Sequence, residues 1–386
     1  MHQVSVVGGG SYCLLNIVKA IDKSVFEPIV ALKDEGPLAD ELRKLGVEVV
    51  IFSQMTVIPY NRGLLQRGSL RAYWAVERSK KSLKQLLVEN KIDVLYLNNM
   101  MLCRYLQPAK ECGCKTVIHV REHWPLDEHK RQLEWARRCV YQYADKLIAI
   151  NRYSASMFPE KEATIVYDWI DMDSRDGGKS VTDILGEDAT NLKVYLYTGG
   201  LQPIKGGLEV MTTFTKVIKD ENARLLALGV REEPPKSTKL KESIKRGLEM
   251  FGWRPYYKKI QEAIKKDHRI ISAPYIYDIK RIMEQSYCYL SYFTIPHANL
   301  ALAECIILKA PCVVANTEES MEYTLNGNLA SLFQINDVHD FSKCLRDLNR
   351  NYIKKKEILE KNSCIIKEMF DRNKNIHKLL SALNSL

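Results

Sequence analysis

The sequence has no apolar run of about 18 residues, the length a membrane-spanning helix needs, so no such helix is expected. Its start, MHQVSVVGGGSY, lacks a basic segment followed by an apolar stretch and a small-residue cleavage site. A signal peptide is therefore not expected. Paired cysteines are scarce too. Of ten cysteines only Cys112 and Cys114 lie close together, and no second pair supplies zinc-ligand spacing. No metal site is expected on this count. Most of the ten sit inside apolar runs such as YCYLSYF and APCVVAN, as small buried hydrophobes do in a reducing, cytoplasmic compartment. Low-complexity tracts and short repeats are also missing.

The chain has 386 residues, enough for two domains with sizeable cores. Hydrophobic residues make up 46% and charged residues 27%, which excludes disordered and fibrous classes. The formal net charge is +10, spread through segments such as KSTKLKESIKR and YIKKKEILEK. Alternating signs at helical spacing suit solvated helix faces. The functional alternative is attraction to an anion: nucleic acid, a phosphorylated substrate or a membrane leaflet. Nucleic acid is not favoured, since aromatic and basic residues do not interleave in a reader motif.

Twelve short apolar runs read as strands: FEPIVAL, VEVVIF, DVLYLNN, CKTVIHV, KLIAIN, TIVYDW, KVYLYTG, ARLLALG, RIISAP, YCYLSYF, PCVVAN and ASLFQI. They alternate poorly, as strands buried on both faces of a parallel sheet do. Helical patterns such as GPLADELRKLG, LRAYWAVERSKKSLKQLLVEN and DIKRIMEQS lie between them. This alternation predicts an α/β protein of two similar halves with right-handed crossovers. The polar stretch 171–191 marks the boundary, and a basic-amphipathic helical tail runs from about Tyr352 to Leu386. At the N-terminus, VSVV offers a short first strand ahead of Gly8, Gly9 and Gly10; alternatively, the expected first strand would end near His2, and the sequence as given lacks it.

Three segments carry chemistry. GGGSYCLLNIVKAI is a glycine turn opening a helix, where N–H groups and the helix dipole favour phosphate; a simple loop is the plainer reading. Its spacing fits neither the dinucleotide fingerprint nor a P-loop. In YTGGLQPIKGGLEVMTTF a strand runs into a glycine turn, with Lys205 ahead of Gly206 and Gly207 at a helix start. A phosphate there meets a point charge and a dipole end together, unless Lys205 is merely a surface lysine. In YFTIPHANLALAECIILKAPCVVAN a loop carries His297 and Asn299, and Glu304 sits in an apolar helix. A carboxylate there needs partners: either a sugar diol or the backbone.

These residues resemble the retaining glycosyltransferases of family 4. YTGGLQPIKGG is similar to that family's Gly-Arg-Leu-x-x-x-Lys-Gly turn. ANLALAECIILKAPCVVAN is similar to its Phe-Gly-Leu-x-x-x-Glu-Ala-x-Ala-x-Gly-x-Pro-Val-Val-Ala segment. IVYDWID and ADKLIAINRYS match two further motifs in the family's order, so the resemblance covers nearly the whole chain.

The resemblance implies a GT-B fold of two Rossmann-like, doubly wound domains facing a central cleft. Residues 1–180 would form an acceptor-side domain and 181–365 a nucleotide-sugar donor domain. A helix over 366–386 would pack back toward the first. It implies metal-independent transfer of a sugar from a nucleotide-sugar, which is a substrate rather than a cofactor, to a glycan or lipid-linked glycan acceptor. The anomeric configuration is retained. Surface polysaccharide biosynthesis at the inner membrane face is the implied setting. Lys205 matches the lysine on the donor diphosphate and Glu304 the carboxylate on the ribose hydroxyls. Ala298, Asn299 and Leu300 match backbone positions near the phosphate and donor sugar. Gly9 and Gly10 match the glycine loop that faces the donor. Arg121 or His123, in HVREHW, takes the place of a histidine near the transferred sugar.

Three departures stand out. Gly200 stands where a second phosphate-binding arginine is usual, with Arg121 as a candidate to compensate. Pro296 stands in place of the first of two paired glutamates, and Asn299 in place of a glycine. They favour, as the alternative, a nucleotide- or sugar-binding GT-B protein with impaired catalysis. Asp171 and Asp173 form an Asp-x-Asp pair, read as inter-domain chain rather than metal ligands. For membrane docking the candidate cations are Arg67, Arg71, Arg78, Lys80, Lys81 and Lys84. Leu65, Leu70 and Trp74 are read either as shallow insertion or, at their helical spacing, as core.

Overall fold

A computed structural model describes residues 1–6, 8–58, 67–124, 130–171, 178–230, 255–276 and 278–386. The chain divides into two compact units, Met1–Ile170 with Phe370–Leu386, and Asp171–Met369. The sequence had suggested a first crossing at 180; the chain crosses at Ile170 and returns at Phe370.

All twelve apolar runs form strands, and every pairing among them is parallel. In the first unit β1 (Ile29–Leu32) pairs with β2 (Glu48–Ile51). A second sheet runs β3 (Val94–Leu97), β4 (Lys115–Val120), β5 (Lys146–Ala149) and β6 (Ala163–Ile165). The residues between β1 and β3 are Met1 and His2. His2 bridges Leu32 in parallel, its N–H donates to the Ala31 carbonyl, and the Asn98 N–H donates to the Met1 carbonyl. Val4–Val6, within the run offered as a strand by the sequence, is irregular.

The returning C-terminal segment closes this unit. Phe370 is buried beside Tyr167, with ring centroids 5.2 Å apart, and its carbonyl accepts the Ile170 N–H. The Arg372–Asn384 helix follows. Asn375 Oδ1 accepts the Tyr167 N–H at 3.0 Å, and Leu379 and Leu383 pack with Val117, Ile148 and Trp169. Burying each such side chain contributes roughly 1.5–3 kcal/mol.

The second unit is one six-stranded sheet in the order β12-β11-β10-β7-β8-β9. Its strands are β7 (Lys193–Tyr197), β8 (Ala223–Leu228), β9 (Ile270–Ala273), β10 (Cys288–Ser291), β11 (Cys312–Ala315) and β12 (Ser331–Phe333). Numbered within the unit, that is 6-5-4-1-2-3, the doubly wound order, and the direction of winding reverses between β7 and β10. Tyr195, Phe214, Tyr292, Phe333 and Phe341 are fully buried and interlock ring on ring across its core. All ten cysteines are free thiols, seven of them buried, which fits their expected role as small hydrophobes.

Candidate functional site

Open α/β sheets present ligand sites at the carboxyl ends of the strands where the winding reverses. In the second unit that place lies beyond Tyr197 of β7 and Ser291 of β10, and Lys205, Gly206 and the His297–Glu304 segment follow those two strands. After β7 the chain passes through a turn and a short 3-10 segment, Pro203–Lys205. Gly206 then enters the Gly207–Val217 helix at φ +65°. A Cβ on Gly206 would lie 2.0 Å from the Tyr292 carbonyl oxygen, so only glycine lets this turn seat against the chain leaving β10. The Thr294 N–H, donating to the Ile204 carbonyl at 3.0 Å, completes that seat. Lys205 Nζ lies 4.0 Å above the Phe293 ring, which meets His297 edge-on at 5.4 Å. Burial lowers the Lys205 ammonium to about 8, with Glu319 acting to hold its charge.

The amides at this helix start differ from expectation. The Gly206 N–H donates to the Pro203 carbonyl, and the Leu208 N–H to the Tyr256 hydroxyl at 3.0 Å. The Tyr256 hydroxyl thus caps one amide of this helix start, beside Lys205.

The loop after β10 is held from within. Asn299 is buried and caps the Leu300–Ile307 helix, its Oδ1 accepting from Leu302 N–H at 3.3 Å and from the Tyr289 hydroxyl at 3.1 Å. Its Nδ2 donates to Ser291 Oγ at 3.1 Å. The asparagine that replaces a glycine is thus a capping residue that ties the loop to β10. Glu304 lies within that helix. Burial pushes its carboxyl up to about 7; Lys280 pulls it down and Asp278 pushes it further up. Gly200 also gains a reason. Its φ is +61°, and a Cβ there would lie 3.1 Å from the Gly229 carbonyl oxygen, so the backbone admits no arginine without strain.

In the first unit the Gly9–Ala20 helix opens after Gly8 with no side-chain cap. Gly8 and Gly9 have open space where a Cβ would stand. Arg121, beyond β4, is committed elsewhere: its guanidinium pairs with Asp168 at 2.5 Å and donates to Asn98 Oδ1 at 2.9 Å. Asn98 in turn meets His2 Nδ1, and His2 Nε2 meets Ser11 Oγ, both at 3.1 Å. This buried network holds Met1 and His2 between β1 and β3. Within it the Arg121 charge is balanced by Asp168. His123 is buried, stacks on Tyr153 at 5.0 Å, and its Nε2 lies 3.2 Å from Asn151 Nδ2. Burial lowers it to about 4, so the ring is neutral near pH 7.

Two acidic residues escaped the sequence reading. Glu122 accepts the Met100 N–H at 2.8 Å, and burial pushes it up to about 7. Glu319 is 1% exposed and accepts the Asn299 N–H. Glu122 lies inside HVREHW and Glu319 just beyond PCVVAN, but only tertiary packing shows them buried. Of the Asp-x-Asp pair, Asp173 lies outside the described residues. Among those described, no group of three His, Cys, Asp or Glu side chains converges as a metal site would.

Residues 8–162 match the family model of the glycosyl transferase 4-like domain. The fold is similar to that of HepE from Anabaena in complex with UDP-glucose, with a TM-score of 0.73 and 17% identity over 100% of this chain and 99% of that one. Sucrose-phosphate synthase from Thermosynechococcus elongatus is similar with a TM-score of 0.71 and 10% identity, over 100% and 98%. The apo lipopolysaccharide outer core galactosyltransferase WaaB gives 0.61 and 15%, over 100% and 99%. The chain carries a glycosyl transferase 4-like domain within a GT-B fold. No curated protein matches the sequence. The match to the GT-B glycosyltransferase domain begins at Gly8, so the glycine turn lies inside it, and at these identities the structural neighbours speak for the fold.

Proposed function

We propose that this GT-B glycosyltransferase is a metal-independent, retaining enzyme. It moves a sugar from a nucleotide-sugar to a glycan or lipid-linked glycan, in surface polysaccharide assembly at the cytoplasmic membrane face. The observation that carries the reading is the placing of Lys205 after β7 and of the Asn299–Glu304 segment after β10, the strands where the winding of the second unit reverses. Cleavage of the anomeric C–O bond passes through an oxocarbenium-like transition state while negative charge builds on the departing diphosphate. Lys205, seated on Phe293, is positioned to stabilise that charge without a cation cofactor. Glu304 is suited to accept the ribose hydroxyls. The neutral ring of His123 suits a polar contact near the transferred sugar rather than a counter-charge. The solved HepE structure, of the same fold, holds UDP-glucose, which makes a nucleotide-sugar the first ligand class to try.

Thermal melts with UDP, GDP, ADP and their sugars test this. A nucleotide that binds only the folded protein raises the melting temperature by mass action. No shift with any of them would contradict the reading. A shift without turnover of any sugar donor would favour the binding protein with impaired catalysis.

The acceptor side supports membrane docking. No helix among the described residues is long and apolar enough to cross a membrane. On the Arg67–Glu89 helix Leu70 and Trp74 point outward at 54% and 64% exposure, so they are not core; Arg78 stacks on Trp74 at 3.9 Å. Tyr73 joins this face to Trp135 of the Lys130–Tyr143 helix, with ring centroids 4.3 Å apart. Arg131 and Arg138 of that helix are exposed beside it. Lys80 and Lys84 drop out as free cations, being paired with Glu77 and Glu111. Leu65 and the Arg67 side chain lie outside the described residues. Exposed Arg71, Arg78, Lys81 and Arg131 around Trp74 and Trp135 suit an anionic lipid surface, at about 1 kcal/mol per cation.

A further inference from the structure

The turn that carries Lys205 leaves β7, and the loop that carries Asn299 leaves β10. One phenol joins them. Tyr289, within β10, is buried. Its hydroxyl lies 3.3 Å from Oγ1 of Thr198, the first residue beyond β7, and 3.1 Å from Asn299 Oδ1. The direction of these bonds follows from their partners. A backbone N–H can only donate, so the Asn299 atom that meets the Leu302 N–H is the carbonyl oxygen. Asn299 Nδ2 is then the atom that donates to Ser291 Oγ at 3.1 Å. The Tyr289 hydroxyl meets that same carbonyl oxygen, so its one proton goes to Asn299. Its lone pairs are left to accept from the Thr198 hydroxyl. Donation runs one way, from Thr198 to Tyr289 to Asn299 to Ser291.

Two phenols of β7 make a contrast. Tyr197 donates within its own turn, to the Gly200 carbonyl at 3.2 Å. Tyr195 donates to Asn349 Oδ1 at 2.7 Å, on the Val338–Arg350 helix. Of the three hydroxyls, that of Tyr289 is the one bonded to both segments. A diphosphate that meets Lys205 on one segment and the Asn299 loop on the other needs the two held in register. A misplacement of about 1 Å in such a site can cost on the order of a hundredfold in rate.

We propose that Tyr289 is a positioning residue of this site: its hydroxyl ties Thr198, at the start of the Lys205 turn, to the Asn299 loop, and so fixes the spacing of the two segments between which a diphosphate docks. The inference rests on the donor-site reading given above. Tyr289 acts through Thr198 and Asn299 and touches no reacting atom.

Tyr289→Phe removes the hydroxyl and keeps the ring. With UDP as probe, or GDP or ADP where UDP does not bind, titration calorimetry should show binding weaker than wild type by about five- to tenfold, the worth of one neutral hydrogen bond. Thr198→Val should weaken it similarly, and Thr198→Ser, which keeps the hydroxyl, should bind as wild type does. Adding Thr198→Val to Tyr289→Phe should cost little more, because both act through one bond. Tyr195→Phe also loses a buried phenol bond and should leave the affinity unchanged. Equal affinity in wild type and Tyr289→Phe, or an equal loss in Tyr195→Phe, would overturn the proposal. A second readout needs no ligand. Amide hydrogen exchange in peptides covering 198–206 and 296–303 should quicken together in Tyr289→Phe and in Thr198→Val, by up to about the same factor, and stay at the wild-type rate in Tyr195→Phe. Unchanged exchange of either segment in Tyr289→Phe would overturn the tie. If UDP, GDP and ADP bind none of these proteins, the nucleotide-sugar reading falls, while the exchange rates still judge the tie between the two segments.

Discussion

A carboxylate is costly to bury, so Glu304 and Glu319 are residues whose presence demands a use. The Glu304 carboxyl is pushed up to about 7 by burial, above its unfolded value. The folded, ligand-free protein then binds more protons than the unfolded chain between roughly pH 4.5 and 7. The stability associated with this group is present below that window and is lost as pH rises through it. Glu304→Gln removes the titration. Near pH 8 the variant should melt higher than wild type without ligand, yet bind the nucleotide-sugar more weakly by roughly tenfold to a hundredfold, as expected for the loss of one charged hydrogen bond. A variant that melts lower and binds donor normally would assign Glu304 to the fold alone. Lys205 was legible in the sequence because a strand, a glycine turn and a helix fix its place. Glu319 was not, because a cap at Thr317 and a contact from Asn299 decide which way it points. The commitment of Arg121 to Asp168, 47 residues onward, was hidden for the same reason.

At the scale of elements, apolar runs rich in β-branched residues located all twelve strands, since strands buried on both faces leave a continuous signal. The first strand's place was harder. Two residues, Met1 and His2, occupy it, and their hydrogen bonds come from Tyr96, Asn98 and Ala31, which no local pattern reveals. Helix faces were the least legible. Leu70 and Trp74 fall at core spacing but face outward, because Tyr73, Val76, Leu83 and Leu87 supply the buried stripe. That outward face makes a prediction. Sedimentation with anionic vesicles should show binding at low salt that falls away at high salt, because exposed charges are screened within about 10 Å at 0.1 M. Reversing Arg71, Arg78 and Lys81 to Glu should abolish it. Absence of binding at low salt, or binding indifferent to salt, would contradict electrostatic docking.

At the scale of the whole molecule, two parallel α/β units share one chain that leaves the first at Ile170 and returns at Phe370. The second unit follows the doubly wound order, and its candidate residues Lys205 and Glu304 follow β7 and β10, the strands at the reversal. The proposed chemistry needs one buried lysine and no cation cofactor. The most direct test is release of nucleoside diphosphate from a panel of UDP-, GDP-, ADP- and TDP-sugars, measured in EDTA for wild type and for Lys205→Ala. At least one sugar donor should turn over in EDTA, and the variant should be slower by a factor on the order of 100 or more, the cost of one transition-state charge contact. Turnover that requires added manganese, or a variant as fast as wild type, would contradict it.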